Sequence, residues 1–113
     1  MTEKELEKVV TQKLQEMGAW IMPKTHMSNR GVPDRLVCYR GHFLAIEFKP
    51  SFQGVRATKG RIVLQRKTLG EIASARGISY FVYPENAYQF LTYVRSLPYV
   101  TRPEIPTDDV LRK

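Results

Sequence analysis

Gly31-Val32-Pro33-Asp34-Arg35-Leu36-Val37-Cys38-Tyr39-Arg40-Gly41-His42-Phe43-Leu44-Ala45-Ile46-Glu47-Phe48-Lys49 is the stretch that decides the fold. Its centre, Arg40-Gly41-His42, is a turn signal between two apolar runs, Arg35 to Tyr39 and Phe43 to Phe48, so the spacing predicts a β-hairpin. Side chains alternate across a strand, which puts Glu47 and Lys49 on one face of the sheet and Phe48 on the other. With Asp34 opening the first strand, antiparallel pairing sets the start of one strand beside the end of the other, and Asp34 becomes a neighbour of Glu47. Two carboxylates held that close repel each other, and neither gains by ionising unless a cation lies between them. A divalent metal is the economical expectation.

Working outward, Leu6, Val9, Val10, Leu14 and Met17 recur at three- and four-residue steps, which predicts an amphipathic helix from about Lys4 to Met17. Thr2 is its expected N-cap, Glu3 and Glu5 suit its first turn, and Gly18 ends it. Ala19 to Met22 reads as a short strand. Pro23 to Gly31 reads as a polar, basic loop containing Lys24, His26 and Arg30, and Pro50 to Gly60 as an irregular, mobile segment. Ile62, Leu64, Leu69, Ile72 and Ala73 predict a second helix over Arg61 to Arg76, stopped by Gly77. Ile78 to Tyr83 is a strand, and Glu85 to Arg95 a third helix. The expected order is αβββαβα, an α/β domain spanning residues 1–97. The tail, 98–113, carries Pro98, Pro103 and Pro106 and reads as an arm or a disordered end. Tyr88, Phe90, Leu91, Tyr93 and Val94 exceed what one helix stripe needs, so the last helix or the tail is a candidate interface.

A chain of 113 residues holds one core. With 42% hydrophobic and 26% charged residues it has ordinary globular composition, neither disordered nor membrane-spanning. The start, Met1-Thr2-Glu3-Lys4-Glu5, lacks the features of a secretory signal, so a cytoplasmic location is expected. The single cysteine, Cys38, has no partner for an internal disulfide and reads as a small buried hydrophobe. Eighteen Lys and Arg against 11 Asp and Glu give a net charge of +7, which favours a polyanionic partner once several acids are set aside for one pocket.

At Gly31-Val32-Pro33-Asp34-Arg35, with Glu47-Phe48-Lys49 one hairpin later and Gln65 in the next helix, the chain resembles the VRR-NUC family of the PD-(D/E)xK nuclease superfamily. The likeness runs from the first helix to the strand ending near Tyr83. It implies a restriction-endonuclease-like αβββαβ core with a central mixed sheet between helices. It further implies a Mg²⁺- or Mn²⁺-dependent, structure-selective DNA endonuclease, often homodimeric. Small stand-alone members look like phage and bacterial proteins, and archaeal Holliday-junction resolvases share the fold. On this resemblance Asp34 and Glu47 match the metal-binding carboxylates, Lys49 the catalytic lysine and Gln65 the helix glutamine, with Gln53 its rival because the connection before Gln65 is long. Glu7 matches the first-helix glutamate, suited either to ligating a second metal ion or to orienting waters at the first, with Glu3, one turn earlier, as its competitor.

Phosphodiester hydrolysis needs an activated water, charge neutralisation at phosphorus and a route for the leaving oxygen. Asp34, Glu47 and the Phe48 backbone carbonyl offer hard oxygen donors of the kind Mg²⁺ prefers. Lys49 is placed to orient the water, to stabilise charge or to act as base. Gln65 would hold Lys49 or the water by hydrogen bonds. An isolated acid-x-lysine pair reads as an exposed ion pair; the Asp34 turn is what moves the reading to a nuclease. Lys24, Arg30, Arg35, Arg56, Lys59, Arg61, Arg66 and Lys67 bracket the site in sequence and suit phosphate contacts, although each taken alone reads as a solubilising charge. Phe52 and Tyr39 are candidates for stacking on an unpaired base, with core packing the simpler role for both. The expected substrate is branched DNA, most of all a four-way junction. The rivals are a flap-type or other DNA nuclease of the same fold and a non-catalytic basic nucleic-acid-binding module.

Overall fold

The computed structural model describes residues 1–23 and 31–101. Lys24, His26, Arg30, Pro103 and Pro106 lie outside the described residues. Helix α1 spans Glu3–Glu16 and starts with a reciprocal capping box: Glu5 N donates to Thr2 Oγ1 at 3.1 Å, and Thr2 N donates to Glu5 Oε1 at 3.4 Å. Such a cap contributes about 1 kcal/mol to helix stability. The helix buries Leu6, Glu7, Val10 and Leu14, and Gly18 at φ +96° turns the chain away from it.

Strands β1 (Trp20–Ile21), β2 (Arg35–Tyr39), β3 (His42–Phe48) and β4 (Ile78–Val82) form one mixed sheet in the order β1-β2-β3-β4. The first three are antiparallel and β4 runs parallel to β3. A parallel neighbour needs a long crossover. Helices α2 (Phe52–Arg56) and α3 (Arg61–Ser74) supply it, and α4 (Ala87–Arg95) follows β4. One face of the sheet, with Val37, Tyr39, Leu44, Ile46, Phe48 and Val82, joins Leu6, Val10 and Leu14 of α1 and Phe90 and Val94 of α4 in the core. The opposite face is covered by α3, which packs on β3 and β4.

Several expectations change. The hairpin turn is Arg40-Gly41 alone, because Tyr39 pairs with His42. Both turn residues have positive φ, 52° and 87°, as in a two-residue turn whose twist matches the strands it joins. A Cβ on Gly41 would also lie 2.8 Å from Val100 Cβ, so glycine is required twice over. The Pro50 to Gly60 segment contains helix α2, held by Arg66, whose Nη2 donates to Val55 O at 2.8 Å and Ala57 O at 2.9 Å. Cys38 is exposed: its side of β2 lies beyond the reach of α3 and shares the outer sheet surface with its paired neighbours Trp20 and Phe43. The chain after α4 does not leave the body at Leu97. Leu97 is buried, His42 Nε2 donates to Pro98 O at 2.7 Å, and Val100 N donates to Arg40 O at 2.9 Å. In α4, Phe90 and Val94 are buried while Tyr88 is 81% exposed.

Candidate active site

The pairing Arg35↔Ile46 sets Asp34, the residue before β2, across from Glu47 near the end of β3. Asp34 Oδ2 accepts a 2.8 Å hydrogen bond from the Phe48 amide, which locks the carboxyl at the mouth of the hairpin. Glu47 is buried, and its Oε1 accepts from Gln65 Nε2 at 3.1 Å. Gln65 is itself buried on α3, and its Oε1 accepts from Lys49 Nζ at 2.6 Å. One amide therefore bridges the acid and the base that strand alternation sets on one face. Both of its functional atoms are used, which fixes the amide orientation. Gln53, the rival glutamine, is exposed on α2.

The remaining oxygen of this acid, Glu47 Oε2, is buried without a donor among the described residues. The Asp34 carboxyl is within hydrogen-bonding reach of the Glu47 carboxyl. Burial, then the hydrogen bond to Asp34 and the repulsion from it, push the Glu47 carboxyl up to about 9, with Lys49 pulling the other way. Without a cation the Glu47 carboxyl therefore keeps its proton at neutral pH. A hard divalent cation is the alternative that satisfies both carboxyl groups at once.

Helix α1 brings two further acids to this end of the sheet, on one helix face because they are four residues apart. Glu7 is buried and accepts from Arg35 Nε at 2.7 Å. Arg35 is thus half-buried in an ion pair with α1. Glu3 has its carboxyl raised by burial and by Asp34, with Lys49 and Arg61 acting in the opposite sense. Glu3 therefore lies in the field of the Asp34 and Lys49 pair. Among the described residues no three His, Cys, Asp or Glu side chains converge into a complete metal cage, so any cation here would rely on two carboxylates, main-chain oxygen, water and substrate.

Of the basic positions read from sequence, Arg56, Lys59, Arg61 and Lys67 are exposed, and Arg66 caps α2 while remaining at the surface. Tyr39 is buried in the core, whereas Phe52 is 46% exposed and packs against Tyr83. The role of Arg66 had no local signal, since its acceptors are contributed by a segment too short for periodicity to reveal. No family model, curated protein or solved structure matches the chain. No described helix is long and apolar enough to cross a membrane.

Proposed function

We propose that Asp34, Glu47, Lys49 and Gln65 form the centre of a Mg²⁺- or Mn²⁺-dependent, structure-selective DNA endonuclease with a restriction-endonuclease-like core. The observation that carries this reading is the Lys49-Gln65-Glu47 hydrogen-bonded chain ending on a buried carboxyl beside Asp34. A structural ion pair would be served by direct contact between Lys49 and Glu47 and would not need a buried amide between them.

The carboxylates of Asp34 and Glu47 and the carbonyl of Phe48 would hold the cation. Bound there, it supplies charge neutralisation at the phosphate and a lowered pKa for a coordinated water. Asp34 is oriented for this by the Phe48 amide. Beside a bound cation Glu47 would be a carboxylate ligand, its proton released to solvent when the metal enters. Lys49, held by Gln65, directs its ammonium at the transferring phosphoryl group, where negative charge grows as water attacks phosphorus and the sugar oxygen departs. Gln65 keeps acid and base apart and fixed. Glu7, which also holds Arg35, and Glu3, in the field of Asp34 and Lys49, are the two α1 carboxylates that would orient water or ligate a second ion.

The net charge of +7 and the exposed Arg56, Lys59, Arg61 and Lys67 supply phosphate contacts that carry no base sequence, which suits recognition of DNA shape. Paired incision of a four-way junction requires two such centres, hence a homodimer, and the exposed Tyr88 of α4 is available for that interface. The test is incubation of end-labelled four-way junction, 5′-flap, splayed-arm and linear duplex DNA with Mg²⁺ or Mn²⁺. Symmetric nicks in the junction support the resolvase reading, and flap cutting supports a flap nuclease of the same centre. Binding without cleavage of any substrate would leave a basic DNA-binding module.

A further inference from the structure

Helix α2 is short and polar, yet it is built into the candidate site. A Cβ on Gly54 would lie 3.6 Å from Lys49 Cδ, so the helix rests on the stem of the lysine. Arg66 fastens its other end through Val55 O and Ala57 O. On this fixed support Phe52 is 46% exposed, although large aromatic rings are usually covered. Tyr83 buttresses the ring from one side, with centroids 5.5 Å apart and planes tilted by 44°. The exposed Arg56 guanidinium stands 5.7 Å from the Phe52 centroid, close to the roughly 6 Å limit of cation–π attraction, so an incoming planar group can replace it at little cost. Lys59 and Arg61, in the segment that follows α2, are exposed cations.

We propose that Phe52, with Arg56 beside it, is a stacking ledge for an unpaired nucleobase of DNA. An aromatic ring with adjacent cations is the arrangement that binds single-stranded nucleic acid, the ring taking a base face and the cations the phosphates. Phe52 is three residues from Lys49, so the two Cα atoms are at most about 11 Å apart and the ledge lies no more than a few nucleotides from the phosphate at Lys49. A paired base is already stacked on its neighbours and cannot use the ring. The ledge therefore favours DNA with an unpaired base next to the attacked phosphate. As a statement about cleavage this rests on the nuclease reading of Asp34 and Lys49; as a statement about binding it does not.

The test separates the two. In a Trp20→Phe background, where the native tryptophan is exposed and replaceable, Phe52→Trp puts the only indole on the ledge. Oligothymidylate titrated in EDTA is expected to quench that indole, and fully paired duplex to leave it nearly unchanged. Phe52→Ala is expected to weaken binding of splayed-arm DNA about tenfold and binding of duplex less than about twofold, with Phe52→Trp retaining both. An unquenched indole, or equal losses on both DNAs, would overturn the ledge. Cleavage in Mn²⁺ with an unquenched indole overturns the ledge alone. Quenching in a protein that cleaves nothing supports the ledge and removes the catalytic reading.

Discussion

Gln65 accepts a 2.6 Å hydrogen bond from the Lys49 ammonium and so couples helix α3 to the end of strand β3 at the candidate site. The same amide donates to Glu47, so truncating it leaves both a lysine and a buried acid without their partner. Gln65→Ala is expected to lower the single-turnover cleavage rate about 10- to 100-fold while DNA affinity changes less than about twofold. A loss confined to affinity would show that Gln65 contacts DNA instead of positioning Lys49.

The Glu47 carboxyl gives the metal-free protein a distinct pH dependence. Its folded pKa is raised to about 9 from an ordinary 4.5, so between those values the folded state holds a proton that the unfolded state has released. Stability contributed by this group is fully present below about pH 4.5 and is lost as pH rises towards 9, at a limit of about 1.4 kcal/mol per pH unit. In EDTA, the Tm of the wild type is expected to fall relative to that of Glu47→Gln between pH 5 and 9. Mn²⁺ is expected to restore it, by about 2.7 kcal/mol at a hundredfold excess over Kd. Parallel pH profiles for the two proteins, with no response to Mn²⁺, would contradict a proton held on Glu47.

At the far end of the hairpin, the Arg40 guanidinium lies 4.9 Å from the Tyr39 ring centroid and 4.7 Å from that of Tyr99, and its Nη1 donates to Leu97 O at 2.8 Å. This clasp fastens the segment after α4 to the sheet. Arg40→Asn keeps a residue that tolerates the positive φ of 52° and removes the clasp. Equilibrium unfolding is expected to show a loss of about 1–3 kcal/mol. An unchanged unfolding midpoint would mean that the clasp contributes nothing.

Lys59 and Lys67 are exposed and, in this account, meet phosphates. Lys59→Ala and Lys67→Ala are each expected to reduce by about one the slope of log affinity against log salt, equally for junction and duplex DNA. An unchanged slope would assign either lysine to solubility alone.

Much of the candidate site's geometry is legible in the sequence because the hairpin is local. Alternation fixed which face Glu47 and Lys49 share, and antiparallel pairing brought Asp34 to Glu47 across a two-residue turn. The pairing of Arg35 with Glu7 was not legible, since it joins residues 28 apart through a helix docking that no period encodes. Helix α2 is not legible in the sequence because five residues containing a glycine carry no helical signal of their own; tertiary bonds from Arg66 hold it. Cys38 is exposed although its strand position reads as buried, because alternation tells which face a residue is on, not whether a helix covers that part of the face. Pro98 suggested a free arm, but a proline prevents only regular hydrogen bonding, and its carbonyl is still bound by His42.

In the proposed function Asp34 and Lys49 act in divalent-cation-dependent hydrolysis of DNA. It is tested most directly by single-turnover cleavage of an end-labelled four-way junction at saturating protein, with Mg²⁺ or Mn²⁺ and with EDTA, for wild type, Asp34→Ala and Lys49→Ala. Metal-dependent incision by the wild type is expected, with a fall of more than about a hundredfold in both variants and junction binding retained. Cleavage by the variants at the wild-type rate, or binding by the wild type with no incision under any condition, would contradict it.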